Sequence, residues 1–182
     1  MKIMGIDLAG NEDNPTGLAW IRVRNLTSEI KYSDREIIRG CLEIKPKAVA
    51  IDAPLSLPKM GALRKADRYL ISSGFRVFPP TFAGMKKLTL RGIRISSKLR
   101  MLGFKVIEVH PRTSGKIIFG TPERKVWVSG LKMRGMRLRG LSSVHEIDAA
   151  LAALTALFWL RGKFEKIGEA EEGVIVIPKR HL

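Results

Sequence analysis

The chain lacks glutamine altogether, has three asparagines, and carries one cysteine, Cys41, in 182 residues. A lone thiol cannot close an internal disulfide, which excludes a stapled secreted scaffold and makes a reducing cytosol the expected setting. No basic-then-apolar leader opens the sequence. The longest apolar stretch, residues 147–160, is too short to cross a bilayer and already contains Asp148. A soluble, cytoplasmic protein with no membrane span is therefore expected. There is no internal repeat or low-complexity tract. Few side-chain amides beside 33 lysines and arginines point to a thermophilic source.

Acidic residues are scarce in the middle of the chain. Residues 59–140 hold twenty basic residues against three acidic ones, a net +17, whereas residues 1–58 balance at 0 and residues 141–182 come to −1. A thermophile surface laced with ion pairs would mix its signs, so this one-sided excess implies a polyanionic partner, nucleic acid before anionic membrane or acidic protein. The length suits one domain over residues 1–182. Residues 59–140 then form a basic, mostly helical segment within it.

Hydrophobic periodicity and turn residues give the order of elements. Lys2–Leu8 reads as a buried strand, Ala9–Pro15 as a turn, Gly17–Arg24 as an alternating strand and Glu29–Tyr32 as a short third one, together an antiparallel meander. Ser33 can cap a helix carrying Ile37, Ile38 and Leu42 at helical spacing, and Ala48–Ile51 then returns as a parallel strand. Helices over Ala62–Ser73 and Lys86–Leu102 precede a strand over Phe104–Val109. Residues 111–140, interrupted by five glycines, hold one or two short helices. Ser143–Leu160 is a helix opened by a capping box, Ser143 with Glu146, and Val174–Ile177 is a last strand. The expected fold is α/β of the RNase H-like order: a mixed five- or six-stranded sheet, a three-strand meander plus parallel strands, with helices on both faces.

Three aspartates stand where elements begin or end. Asp7 and Asp52 close the apolar runs MKIMGI and AVAI, and carboxylates there point out of the strands' carboxyl ends, where open α/β sheets bind ligands. Asp148 falls on the core-facing stripe of the late helix with Val144, Ile147 and Leu151, past the reach of capping, so it needs a cation, a donor network or a raised pKa. Each alone has a structural explanation, as an Asx turn for Asp7 or a cap for Asp52. Three together are more than caps. His145 lies one turn from Asp148 on the same helix face. Glu108 and His110 share one side of a strand and end near the same sheet edge, as residues that support the ligands from behind or contact substrate, or as a pair satisfying local donors. Arg64 and Asp67 read first as an i,i+3 ion pair and second as a substrate contact. Phe78 and Phe82, beside Pro79 and Pro80, read as core or loop anchors before base-stacking rings. Lys86, Lys87, Arg91 and Arg94 are the candidate nucleic-acid contacts on the basic helix.

Taken with its motifs GIDLAG, a second strand containing TG, AIDAPLSLP, RKADRYLISSGFRVFPPTFAGMKKLTLRG, VIEVHPRTS and HEIDAALAALTA, nearly the whole chain resembles the family catalogued as domain of unknown function 429, described as a predicted nuclease of the RNase H fold. More distantly, an aspartate on the first strand, an acid ending the fourth and a His-x-x-Asp start to the last helix are similar to the RuvC-type junction resolvases. That resemblance implies that Asp7, Asp52 and Asp148 are metal ligands with His145 beside them. One departure stands out: the carboxylate that RNase H carries on the helix after its third strand has no motif-bound counterpart here, only Glu36 and Glu43.

Hard Mg²⁺ or Mn²⁺ ions prefer oxygen ligands, and three converging carboxylates can hold one or two of them with room for phosphate and water. The expected function is thus a metal-dependent nuclease cutting DNA or RNA, with Asp7, Asp52, Asp148 and His145 catalytic. Two alternatives stay open: a phosphotransferase of the actin-like fold, for which 182 residues supply one of the two fold copies needed, and a non-catalytic nucleic-acid-binding module. Oligomeric state is open, a homodimer included.

Overall fold

The computed structural model describes residues 1–180. In chain order the elements are β1 (Lys2–Asp7), β2 (Thr16–Arg22), β3 (Asn25–Lys31), α1 (Asp34–Ile44), β4 (Val49–Asp52), α2 (Lys65–Ser72), α3 (Ala83–Met101), β5 (Val106–Val109), α4 (Pro111–Phe119), α5 (Arg124–Met133), β6 (Arg137–Arg139), α6 (Val144–Leu160), β7 (Phe164–Glu169) and β8 (Gly173–Pro178). They build one mixed sheet in the order β6-β3-β2-β1-β4-β5-β8-β7. The fold is RNase H-like: an antiparallel meander β1-β2-β3 continues through parallel β4, β5 and β8.

The sheet has eight strands, not the five or six expected. β6 is the three-residue segment Arg-Leu-Arg, and β7 alternates charge with a single buried residue, Ile167. Neither has an apolar run, because each lies at an edge and buries at most one thin face. β3 begins four residues earlier than its apolar pattern suggests, since its first half is tied to β2 through Thr27 and Ser28. The uncertain stretch after Pro111 resolves into α4, α5 and β6.

Strand alternation divides the core. From β1, Met4 and Ile6 pack with Ile37 and Cys41 of α1 and Ile95 and Leu99 of α3 on one face. On the other, Ile3 and the small residues of α6 meet, with α4 and α5 behind them. Burial pushes the Cys41 thiol up to about 12, so it acts as a core hydrophobe. No helix of the described residues is long and apolar enough to cross a membrane.

α6 lies unusually deep on the sheet. A Cβ at Gly5 would come within 2.1 Å of the Ala149 carbonyl oxygen, and one at Gly17 within 2.1 Å of the His145 carbonyl oxygen. The two glycines, on neighbouring strands, let helix backbone rest on strand backbone. Many of the buried side chains of α6 are correspondingly short, Ala149, Ala150, Ala152, Ala153 and Ala156, beside the buried Leu151, Leu154 and Thr155. Gly17→Ala should therefore cost about 1–3 kcal/mol, the usual penalty of overpacking. It should lower the urea midpoint at unchanged slope; a midpoint equal to the parent's would show that α6 does not rest on this glycine.

Candidate active site

Parallel pairing of β1 with β4 sets Asp7 beside Asp52 in register at the carboxyl ends of both strands. The α6 N-terminus is fixed over them by its cap. Ser143 accepts from the Glu146 amide, and the Glu146 carboxylate accepts from the amides and hydroxyls of Ser142 and Ser143 and from the Ser28 hydroxyl of β3. That donor set outweighs the effect of burial and holds Glu146 below the usual carboxylate range. Glu146 is thus structural, and it locks the first turn of α6 to the sheet. One consequence is that His145 Nδ1 meets Asp7 Oδ2 at 2.7 Å.

The cation that Asp148 requires is Arg124 of α5. Its Nε donates to Asp148 Oδ1 at 2.8 Å and its Nη2 to Oδ2 at 2.5 Å, a bidentate pair with Asp148 8 % exposed. Nothing in the sequence near either residue signals this contact, which joins positions 24 residues apart. Asp148 still lies close enough to raise the pKa of both strand-end acids. Desolvation, with help from Asp148 and against His145 and Arg124, pushes Asp7 up to about 6. Asp52 is raised well above its ordinary value by burial first, then by Asp7, Asp148 and Glu108, each of these influences acting in the same direction. Among the described residues no three His, Cys, Asp or Glu side chains form a ready metal cage, and Asp148 faces Arg124. The donor set nevertheless fits a hard divalent cation, because Asp7 and Asp52 are adjacent oxygen donors whose mutual repulsion such an ion would offset.

Glu108 and Arg64 have defined work elsewhere. The Arg64 guanidinium, 1 % exposed, grips Glu108 with Nη1 and Nη2 at 2.8 and 2.6 Å and Asp67 with Nε and Nη2 at 3.0 and 2.8 Å. Glu108 also accepts the Leu55 amide at 2.8 Å. This cluster ties the loop after β4 and the start of α2 to β5. The i,i+3 pairing of Arg64 with Asp67 is present, but it is half of a three-residue knot. His110 bonds Thr113 Oγ1 at 2.7 Å, and burial pushes it down to about 4, so it is neutral at pH 7. A cavity of about 360 Å³ opens against Asp7 and Asp52, with Arg64, Glu108 and His110 in its lining.

The four basic candidates on α3 separate. Arg91 is 2 % exposed and donates to the carbonyls of Ala9, Asn11 and Tyr32 and to Asp34, so it is a brace for the loop after β1 and is not available to a ligand. Arg94 shares Asp34 but is exposed, and Lys86 and Lys87 are exposed near the start of α3. Arg91 fits the basic-helix pattern as well as its neighbours do; its burial follows from the β1–β2 loop folding over it. Phe78 and Phe82 are not core: both are exposed.

The raised acid fixes a pH dependence. Folded protein keeps the Asp7 proton up to about pH 6, whereas the unfolded chain releases it near the ordinary 3.8. Between these values the folded form binds more protons, so this residue's contribution to stability falls as pH rises through the interval. In chelator, Asp7→Asn should gain stability relative to the parent from pH 4 to pH 7, measured by urea midpoints; a constant difference across that range would mean that Asp7 is ionised throughout.

Solved structures with the same fold include RuvC of Thermus thermophilus. RuvC in complex with Holliday junction substrate superposes with a TM-score of 0.59 at 15 % identity, covering 89 % of this chain and 96 % of that one. A further Thermus thermophilus RuvC structure gives a TM-score of 0.53 at 17 % identity, with the same coverage. No curated protein matches in sequence. Residues 5–173 match the family described as protein of unknown function (DUF429), and the chain belongs to that family.

Proposed function

We propose that the protein is a metal-dependent nuclease that hydrolyses phosphodiester bonds of DNA or RNA. The observation that carries this reading is the pair Asp7–Asp52: two carboxylates in register at adjacent parallel strand ends, both with raised pKa, the second pushed upward by each of its main influences. Stability alone gives no reason to keep such a pair, since like charges in a desolvated site oppose folding. Its position matches the ligand-binding edge of open α/β sheets. The shared fold with RuvC, whose structure is in complex with Holliday junction substrate, and the +17 of residues 59–140 support a nucleic-acid substrate.

Asp7 and Asp52, with Asp148 once it leaves Arg124, would hold Mg²⁺ or Mn²⁺. When bound, such ions activate a water and stabilise the leaving oxygen. His145 orients Asp7 through its Nδ1 bond, which leaves Nε2 as the ring atom able to accept or return a proton. The neutral His110 adds no charge at the cleft floor. Glu108 and Asp67 share the Arg64 guanidinium, which offsets part of their repulsion towards an incoming phosphate.

One observation favours a second reading, a nucleic-acid-binding module without catalysis: Arg124 already neutralises Asp148, as a built-in cation would in a site that takes no metal. Arg124→Gln separates the two. For a nuclease, the variant should lose about 1–3 kcal/mol in chelator, bind Mn²⁺ more tightly than the parent by calorimetry, and regain the loss at saturating ion; an ion at about 100 times its Kd adds about 2.7 kcal/mol. For a module it should lose stability and gain nothing from the ion. Labelled single-stranded, duplex and branched DNA and RNA should be cut by the parent only with the ion present, and not by Asp52→Asn. Absence of both Mn²⁺ binding and cleavage across these substrates refutes the nuclease reading.

A further inference from the structure

The loop between α2 and α3 carries an aromatic ring that the core does not use. Pro79 and Pro80 restrict the backbone directly after Phe78, and the Phe78 side chain is 63 % exposed while lining the cavity against Asp7 and Asp52. Beyond it the groove continues. A second cavity of about 240 Å³ shares Arg76, His110 and Arg112 with the first and is closed by Phe75, Lys116 and Pro122. The two spaces therefore lie in series, with Arg76 and Arg112 at their junction, both exposed.

The charge along this path changes in one direction. The carboxylates at the near end are Asp7 and Asp52, and the other two acids there, Asp67 and Glu108, are both bound by Arg64. Among the described residues no acid lines the second cavity, and Lys116 stands 5.3 Å over the Phe75 ring. The first cavity has the size of a small-molecule site and the second is smaller, so neither can admit a duplex. A groove with cations for phosphates and flat rings for bases is the combination that binds single strands. A base inside a duplex would have to be extruded to reach it.

We propose that the groove from Asp7 and Asp52 past Phe78, Arg76 and Arg112 to Lys116 is a track for unpaired nucleic acid, with a base stacked on Phe78 and the backbone phosphates on the two arginines. The proposal rests on the nuclease reading only for its assignment of the Asp7–Asp52 end as the place of cleavage. DNA and RNA share the recognised chemistry, a base face and a phosphodiester, and are separate arms of the test.

Binding is measured by fluorescence anisotropy in EDTA, with labelled DNA and RNA single strands of about 15 nucleotides, within the range used by single-strand sites, and the same strands annealed. The single strand in at least one arm should bind at least about tenfold tighter than its duplex. Phe78→Ala should weaken single-strand binding about tenfold, in line with the loss of one stacked base, and leave the duplex and the melting temperature unchanged. Arg76→Ala and Arg112→Ala should each reduce the slope of log K against log salt by about 0.7, one phosphate contact on a single strand. Equal or tighter binding of duplex, or an unchanged affinity in Phe78→Ala, overturns the proposal. Because the assay contains no divalent ion, single-strand binding with these variant effects upholds the track even where no cleavage is found. Cleavage without them upholds the nuclease and removes the track.

Discussion

The seating of α6 on Gly5 and Gly17 is the constraint from which the site follows. Helix backbone meets strand backbone at both glycines, which fixes the depth and the angular position of the first two helical turns. At that depth the His145 carbonyl covers Gly17 while its imidazole reaches Asp7, and Asp148, one turn later, faces the same edge of the sheet. The capping box and Ser28 hold the helix end against sliding. A larger residue at either glycine would push the helix off the strands and with it the His145 contact to Asp7.

The second organising feature is how this chain treats buried acid. Asp67 and Glu108 share Arg64, Asp34 is held by Arg91 and Arg94, Asp148 by Arg124, and Glu172 by the amides of Lys59 and Lys65. In these cases the protein supplies the donors itself, as burial demands. Asp52 is treated differently, with burial and three neighbouring acids all opposing its ionisation. Four guanidinium groups and two backbone amides serve those five acids, and no influence of that kind is among the main ones acting on Asp52.

Much of this was legible in the sequence, for a physical reason. Asp7 and Asp52 end short apolar runs, and the parallel pairing of those runs brings the two side by side. Asp148 announced itself by helical phase, an acid on an apolar stripe. The cation it demanded was foreseeable as a need but not as Arg124, because that contact depends on how α5 packs against α6. The same limit explains Arg91. The charge of its helix placed it among the nucleic-acid contacts, and the loop after β1 wraps it in carbonyls. The glycines of the first two strands read as motif letters, and their role became visible only with the helix lying on them. Edge strands β6 and β7 escaped notice because a strand that buries almost nothing carries almost no hydrophobic signal.

Those two edges also bear on how copies of the molecule can meet. β6 is three residues long with Arg137 and Arg139 turned to solvent, and β7 presents exposed Lys166, Gly168 and Glu169. Short, charged borders discourage one sheet from extending into another. Folded protein, even when concentrated, is thus shielded from strand-to-strand aggregation at both margins.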